Sequence, residues 1–269
     1  MFVRKNSMKK NILILLLTVL LLVLYGCSSS PLSRYPAFLM EKSQSSSGMI
    51  MTDVAIIDNL RGQGTQMDII ANGKTAQMCL NVLAGSLNEK GYHINRTLIS
   101  SMGMGMNAND VYKIVRDENE EDNNDQPQNV ASPPFYVNNL LFPDSISRHE
   151  LQGLVLRLLN SSHKENEPEI QIPEAVSVGK QLGGGLIFML FVRGFNVPVA
   201  TQNGSGAKDE SMSDTKIAIQ YTSEVSTTLY VFDSENGNII WDDRVTRRGG
   251  VVFPGKIFEM LNKLVDELP

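Results

Sequence analysis

Residues 49 to 100 read as an apolar run, a helical stretch and a second apolar run, and that order leaves few folds open. "MIMTDVAIID" (49–58) is a buried strand, followed by polar, glycine-containing residues. From Gly73 to Lys90, Ala76, Leu80, Leu83 and Leu87 recur at spacings of three and four, which marks one face of a helix. Asn72 stands in the N-cap position and Gly91 at the stop. "YHINRTLIS" then returns as a strand, with His93 alternating in it. Strand, helix and strand joined in this way make the two strands parallel, through a right-handed crossover.

Further on, "NANDVYKIVRD" (107–117) has the look of a short helix. Residues 117–134, acidic and amide-rich and ending in Pro-Pro, form a disordered surface insertion. Ser147 and Glu150 have the spacing of a capping box, ahead of a stripe of Leu151, Leu154, Val155, Leu158 and Leu159. A third helix runs from Pro173 to its stop at Gly183. "LIFMLFVRG" is apolar throughout, as in a central strand, and residues 201–214 form a polar loop. From Lys216 the pattern alternates: Ile217, Ile219, Tyr221, Val225, Leu229 and Val231 on one face, Lys216, Gln220, Thr222, Glu224 and Thr228 on the other. That predicts a half-exposed strand. Asn236-Gly237 turns it into "NIIWDDRVTRR". Counting by two places Trp241 on one face with Ile239, against a last helix carrying Ile257, Met260, Leu261, Leu264, Val265 and Leu268. The expected fold is α/β (α+β), one domain over 49–269. Its mixed sheet has about five strands, the first two parallel through the βαβ unit and the last two an antiparallel hairpin, with helices covering the sheet.

The N-terminus fixes the compartment. Arg4, Lys5, Lys9 and Lys10 precede an apolar run from Ile12 to Leu24, broken only by Thr18. Such a run is shorter than the ~20 residues that cross a bilayer and suits a secretory signal. Met8 is as good a start as Met1. The run ends in Leu24-Tyr25-Gly26-Cys27, which resembles the bacterial lipobox. The resemblance implies lipidation of Cys27, removal of residues 1–26, and anchoring in membrane lipid. Ser28 in place of an inner-membrane-retaining Asp implies the outer membrane, on its periplasmic face. Residues 27–48, rich in Ser and Pro, read as a flexible tether. Loss of the four basic residues takes the formal charge from −5 to −9, which leaves no electrostatic footprint for nucleic acid. Cys79 is the one other cysteine, so no disulfide framework is expected; it reads as a small buried apolar residue.

Gly73-Lys74-Thr75 imitates the end of a phosphate-binding loop. The glycine that such a loop needs five residues earlier is Asp68, whose carboxylate would repel a phosphate. Asp233, in "TTLYVFD", imitates a magnesium-binding residue but is explained as a turn former. Gly62 and Gly64 lack the third glycine of a dinucleotide loop, and Gly183 to Gly185 precede a strand and form a tight turn. His93, His149 and His163 lack metal-ligand spacing, and Asp117 to Asp125 lacks the glycine and distal Glu of a calcium loop. No catalytic residue, cofactor, metal or nucleotide is therefore expected.

The late "GKQLG", an apolar strand and the hairpin "LYVFDSENGNIIWDDRV" make the chain similar to periplasmic lipoproteins with a TolB amino-terminal-like or CsgG-like α/β domain. Asp233, Asn236, Gly237, Ile240 and Trp241 match that hairpin, and Gly183 matches the family's glycine. The usual Pro-Phe after the first strand is Asp58-Asn59 here, and the acidic, proline-bearing insertion does not fit a membrane-crossing hairpin. The resemblance implies a non-catalytic interaction or assembly module of the cell envelope with a protein partner. An accessory subunit of a secretion or transport complex is the alternative, and a hydrolase the third.

Overall fold

In the computed structural model the described residues are 48–60, 64–106, 113–115, 133–160, 171–201, 218–250, 252 and 254–268. The strands are β1 (Gly48–Leu60), β2 (Gly64–Asp68), β3 (Ile94–Met102), β4 (Lys113–Val115), β5 (Tyr136–Val137), β6 (Leu186–Thr201), β7 (Ala218–Asp233) and β8 (Ile239–Arg248). The helices are α1 (Ile69–Glu89), α2 (Ser145–Asn160), α3 (Pro173–Leu182) and α4 (Pro254–Glu267).

β1 is the axis of one mixed sheet ordered β4-β2-β1-β6-β7-β8. It lies parallel to β6 from Gly48 to Asp58. Its other edge is shared, first with β3 in parallel and then with β2 in antiparallel. The expected parallel βαβ pair is thus β1-α1-β3. β6, β7 and β8 form the antiparallel part, including the expected late hairpin.

Both faces are covered. On one, Ile50 and Val54 of β1, Phe188 and Leu190 of β6, and Leu229 of β7 pack with Leu80 and Leu83 of α1 and Leu261 and Leu264 of α4. On the other, Met49, Met51, Met189, Phe191, Tyr230 and Phe232 pack with Leu151, Leu154 and Leu158 of α2 and Val178 of α3. The expected stripe of α1 is buried whole, and Cys79 with it. Burial pushes the Cys79 thiol up to about 12 and the Tyr92 hydroxyl up to about 12.

Several expectations need correction. Among the described residues the sheet has eight strands, because β2, β4 and β5 are too short to show a period. Lys113–Val115 is a strand paired with β2 where a helix was expected; the rest of 107–117 lies outside the described residues, as do residues 117–132 and 202–217. β1 runs past Asp58 to Leu60. α1 begins four residues before Gly73, capped by Asp68, whose carboxylate accepts from Ala71 N at 2.8 Å. Asn72 is freed from capping for another use. In α2 the cap is Asp144, which accepts from Ser147 N at 2.7 Å, and Ser147 lies inside the helix. That hydrogen bond holds the Asp144 carboxyl below the usual carboxylate range. Leu159, assigned to the buried stripe, is exposed, and His93 precedes β3. β7 is buried on both faces over Leu229–Phe232, because α2 covers the side that alternation left to water. The Tyr230 hydroxyl donates to Leu158 O at 2.7 Å and ties β7 to the last turn of α2.

The β7–β8 connection also differs. The turn is longer than the two residues Asn236-Gly237: Gly237 N donates to Asp233 O at 2.7 Å, and Asp233 N to Asn238 O at 3.0 Å. Gly237 has φ +77°, and a Cβ there would lie 2.4 Å from Ile172 O. Phe232 faces Ile239 while Val231 faces Trp241, so Ile240 is an extra residue, a β-bulge. The bulge sends Ile239 and Trp241 to opposite faces, against the count by two. Trp241 is still fully buried, among the residues of α1 and α4. Its Nε1–H meets no acceptor among the described residues.

Two outcomes follow. Trp241→Ala is expected to cost about 3–5 kcal/mol in urea unfolding, and Trp241→Phe clearly less, since it also removes a buried donor without a partner. The raised thiol and phenol favour the folded state below pH 9, where both are protonated in either state. As pH rises from about 9 towards 12 the unfolded chain ionises first. The urea midpoint is therefore expected to fall across that window, less steeply in Cys79→Ala.

Candidate binding groove

Two buried strands each carry one charge, and the fold sets them side by side. Asp53 interrupts the apolar run of β1 and has no exposure to water. Arg193 stands at the end of the apolar run of β6, on the same face, two residues beyond Phe191. Arg193 Nη1 lies 2.8 Å from Asp53 Oδ1. The remaining lone pairs of the carboxylate are taken too: Ser101 Oγ donates to Oδ2 at 2.5 Å, Gly103 N to Oδ1 at 3.0 Å and Met104 N to Oδ2 at 3.1 Å. The guanidinium donates from Nη1 to Asp53 O at 2.9 Å and from Nη2 to Met104 O at 3.0 Å. It stacks 5.5 Å from the centre of the Phe191 ring. One ion pair thus fixes β1, β6 and the turn after β3 together. Uncompensated burial of either charge would cost several kcal/mol, so the pair holds only with all these bonds in place.

Asn72 performs a similar task nearby. Between the part of β1 paired with β3 and the part paired with β2, Ile56 has no strand on that edge. Asn72 Oδ1 accepts from Ile56 N at 2.7 Å, and its Nδ2 donates to Ile56 O at 3.1 Å. The side chain thereby stands in for a strand.

Arg193 is a quarter exposed, and its free side opens on a groove of about 320 Å³. No helix among the described residues covers the groove's face of the sheet at this end, whereas α4 covers the opposite face. The floor is apolar: Ala55, Ile57 and Met106, with Phe195 standing 38% exposed at the rim. The polar wall comes from β7 and β8. Arg244 Nε donates to Ser226 Oγ at 2.6 Å, and its two terminal nitrogens meet no acceptor among the described residues. Glu224 pairs with Arg248 at 2.8 Å on the outer rim, an exposed pair of little energetic weight. With Arg193 balanced by Asp53 and Arg248 by Glu224, Arg244 leaves the groove with a positive charge. An apolar floor beside a fixed guanidinium suits a ligand with an anionic group on an apolar body.

The residues singled out from sequence lie elsewhere. Cys27 is outside the described residues, and so is His163. Gly73-Lys74-Thr75 occupies the second turn of α1, where Thr75 Oγ1 donates to Ala71 O at 2.9 Å. Asp233 accepts from Glu235 N and Asn236 Nδ2, as a turn former does. His93 and His149 are exposed, and no three potential metal ligands cluster among the described residues. Asp53, Arg193 and Arg244 were passed over. One signal was available: opposite charges in two strands that were each otherwise apolar.

No known protein family's profile matches the chain, and no curated protein does. Among solved structures it is similar to two of dodecameric PelC from Paraburkholderia phytofirmans, one of them of a single-residue variant. The variant shares 11% identity over 82% of this chain and 88% of the other, with a TM-score of 0.29. The second shares 10% over 82% and 86%, with a TM-score of 0.31. Likenesses of this strength carry no argument about what the chain does.

Asp53→Ala is expected to cost about 3–5 kcal/mol, since it strands a guanidinium at the sheet. Arg193→Met alone leaves the buried carboxylate without its partner and should be as harmful. The pair Asp53→Asn with Arg193→Met should cost less than the sum of the two single changes, as measured by a urea double-mutant cycle.

Proposed function

We propose that this chain is a lipoprotein held in the outer membrane through Cys27, whose folded part serves the cell envelope as a non-catalytic binding module of the TolB amino-terminal-like or CsgG-like kind. The observation that carries the binding role is the groove beside the Asp53–Arg193 pair. Its guanidinium is held in place before any ligand arrives, by a carboxylate and two carbonyl oxygens. Such preorganisation lowers the entropy lost on binding. Ser226 Oγ is engaged by the cation Arg244 at 2.6 Å, an arrangement that holds a side chain still and does not raise its nucleophilicity. The lipobox Leu24-Tyr25-Gly26-Cys27, behind the apolar run, supports the anchor.

Mass spectrometry of the native protein is expected to find diacylglycerol on Cys27 and no residues 1–26; an unmodified, uncut N-terminus sinks the anchor. A photo-crosslinking side chain at Phe195 in living cells is expected to capture an envelope protein, and Arg244→Glu should abolish the adduct. Capture that persists unchanged in Arg244→Glu would remove Arg244 from the binding role, and no capture at Phe195 in the unaltered chain would move the binding surface away from the groove.

A further inference from the structure

The floor of the groove beside Arg193 is a sheet face, and it offers a ligand side chains only. β6 is paired along both edges there, with β1 and β7, and β7 is paired with β6 and β8. The peptide groups beneath the groove are thus spent on the sheet. An extended chain passing through would lay its own peptide groups on Ala55, Ile57 and Met106 with nothing to bond, which is unfavourable. A chain end lays down one side chain and one carboxylate. Charge selects the same ligand. The guanidiniums of Arg193 and Arg248 are answered by Asp53 and Glu224, so the surplus is the single charge of Arg244. Its Nε is spent on Ser226 Oγ at 2.6 Å. The outer end of the fork, with no acceptor among the described residues, presents two parallel N–H groups that match the two oxygens of one carboxylate. A phosphate monoester carries about 1.5–2 negative charges, which overfills the site and sets the excess against Glu224.

We propose that the groove takes the free carboxyl terminus of a protein chain, with a large apolar last residue on the floor and its α-carboxylate on the two Nη atoms of Arg244. Size agrees. A volume of about 320 Å³ equals about ten waters at ~30 Å³ each, which is room for one large side chain with its carboxylate and little more. Met106 on the floor and the half-buried Phe195 at the rim suit an aromatic side chain, through sulfur–ring and ring–ring contact. Arg193 cannot swing in to compete for the carboxylate, because Asp53 and two carbonyl oxygens hold it. The inference deepens the binding role proposed above and rests on it: it names which part of a partner the groove recognises.

Calorimetric titration of the full chain in detergent tests it, with the peptide acetyl-Ser-Gly-Ser-Leu-Phe as the free acid and as the carboxyl-terminal amide. The acid is expected to bind at least about tenfold more tightly than the amide, and Arg244→Gln to remove that difference. Nitrogen NMR of the Arg244 guanidinium gives a second reading on the unaltered chain, whether or not the variant folds. Its Nη signals are expected to shift with the acid and to stay in place with the amide. Equal binding of acid and amide overturns the proposal, as does a preference for the acid that survives in folded Arg244→Gln. Decanoate binding more tightly than the peptide acid also overturns it, since that assigns the groove to a free fatty acid. So does inorganic phosphate displacing the peptide at equal concentration. The photo-crosslink at Phe195 separates this inference from the reading it rests on. Capture of an envelope protein, with no preference for the acid, overturns the terminus and leaves the binding role. Preference for the acid without capture supports the terminus and removes the envelope partner.

Discussion

A carboxylate shut off from water in the central strand has to be answered by its neighbours, and the neighbours of Asp53 are drawn from everything around it. The side chain binds Ser101 on β3, the amides of Gly103 and Met104 in the following turn, and Arg193 on β6. β1 is parallel to both β3 and β6, and parallel strands share no hairpin that would set their alignment. Apolar contacts alone tolerate a slip by two residues, which preserves faces. An ion pair with its full set of hydrogen bonds does not. The choice of register is thus concentrated in one polar cluster, a role in specificity that buried charges fill in some proteins.

The same cluster shapes the surface. α2 and α3 cover the sheet only as far as Phe191 and Tyr230. Past that line the strands continue, and the residues on that face change from Met and Phe to Arg193, Ser226 and Arg244. Core and groove are consecutive stretches of the same strands, and Arg193 belongs to both. Its Nη atoms are spent on the fold while the remaining surface faces the groove, so rigidity in the one becomes rigidity in the other.

How much of this was legible depended on the range of each signal. The stripe of α1, the central strand β6 and the stop at Gly183 are local patterns, and they stand as expected. The errors came where a distant partner overrode a local pattern. Asp68 and Asn72 are both good caps; only the gap beside Ile56 decides that Asn72 is needed elsewhere. β7 alternates as if half exposed, and α2 buries its second face. Lys113–Val115 is too short for any period, and its partner β2 has only five residues. Asp53 and Arg193 are 140 residues apart in the chain, so no window of sequence shows them together.

The bulge at Ile240 makes the hairpin sensitive to length as well as to composition. On its far side every residue of β8 from Trp241 to Arg248 points the opposite way from an unbroken alternation begun at Ile239. Removing one residue there would leave each side chain chemically intact and reverse the face of all that follow. Trp241 would leave the core, and Arg244 would turn from the groove towards α4. A single inserted residue in an ancestral hairpin, run the other way, would create both the buried indole and the cationic wall in one step. Gains and losses of single codons at this turn are therefore a coarser and more consequential kind of variation than any substitution in the strand.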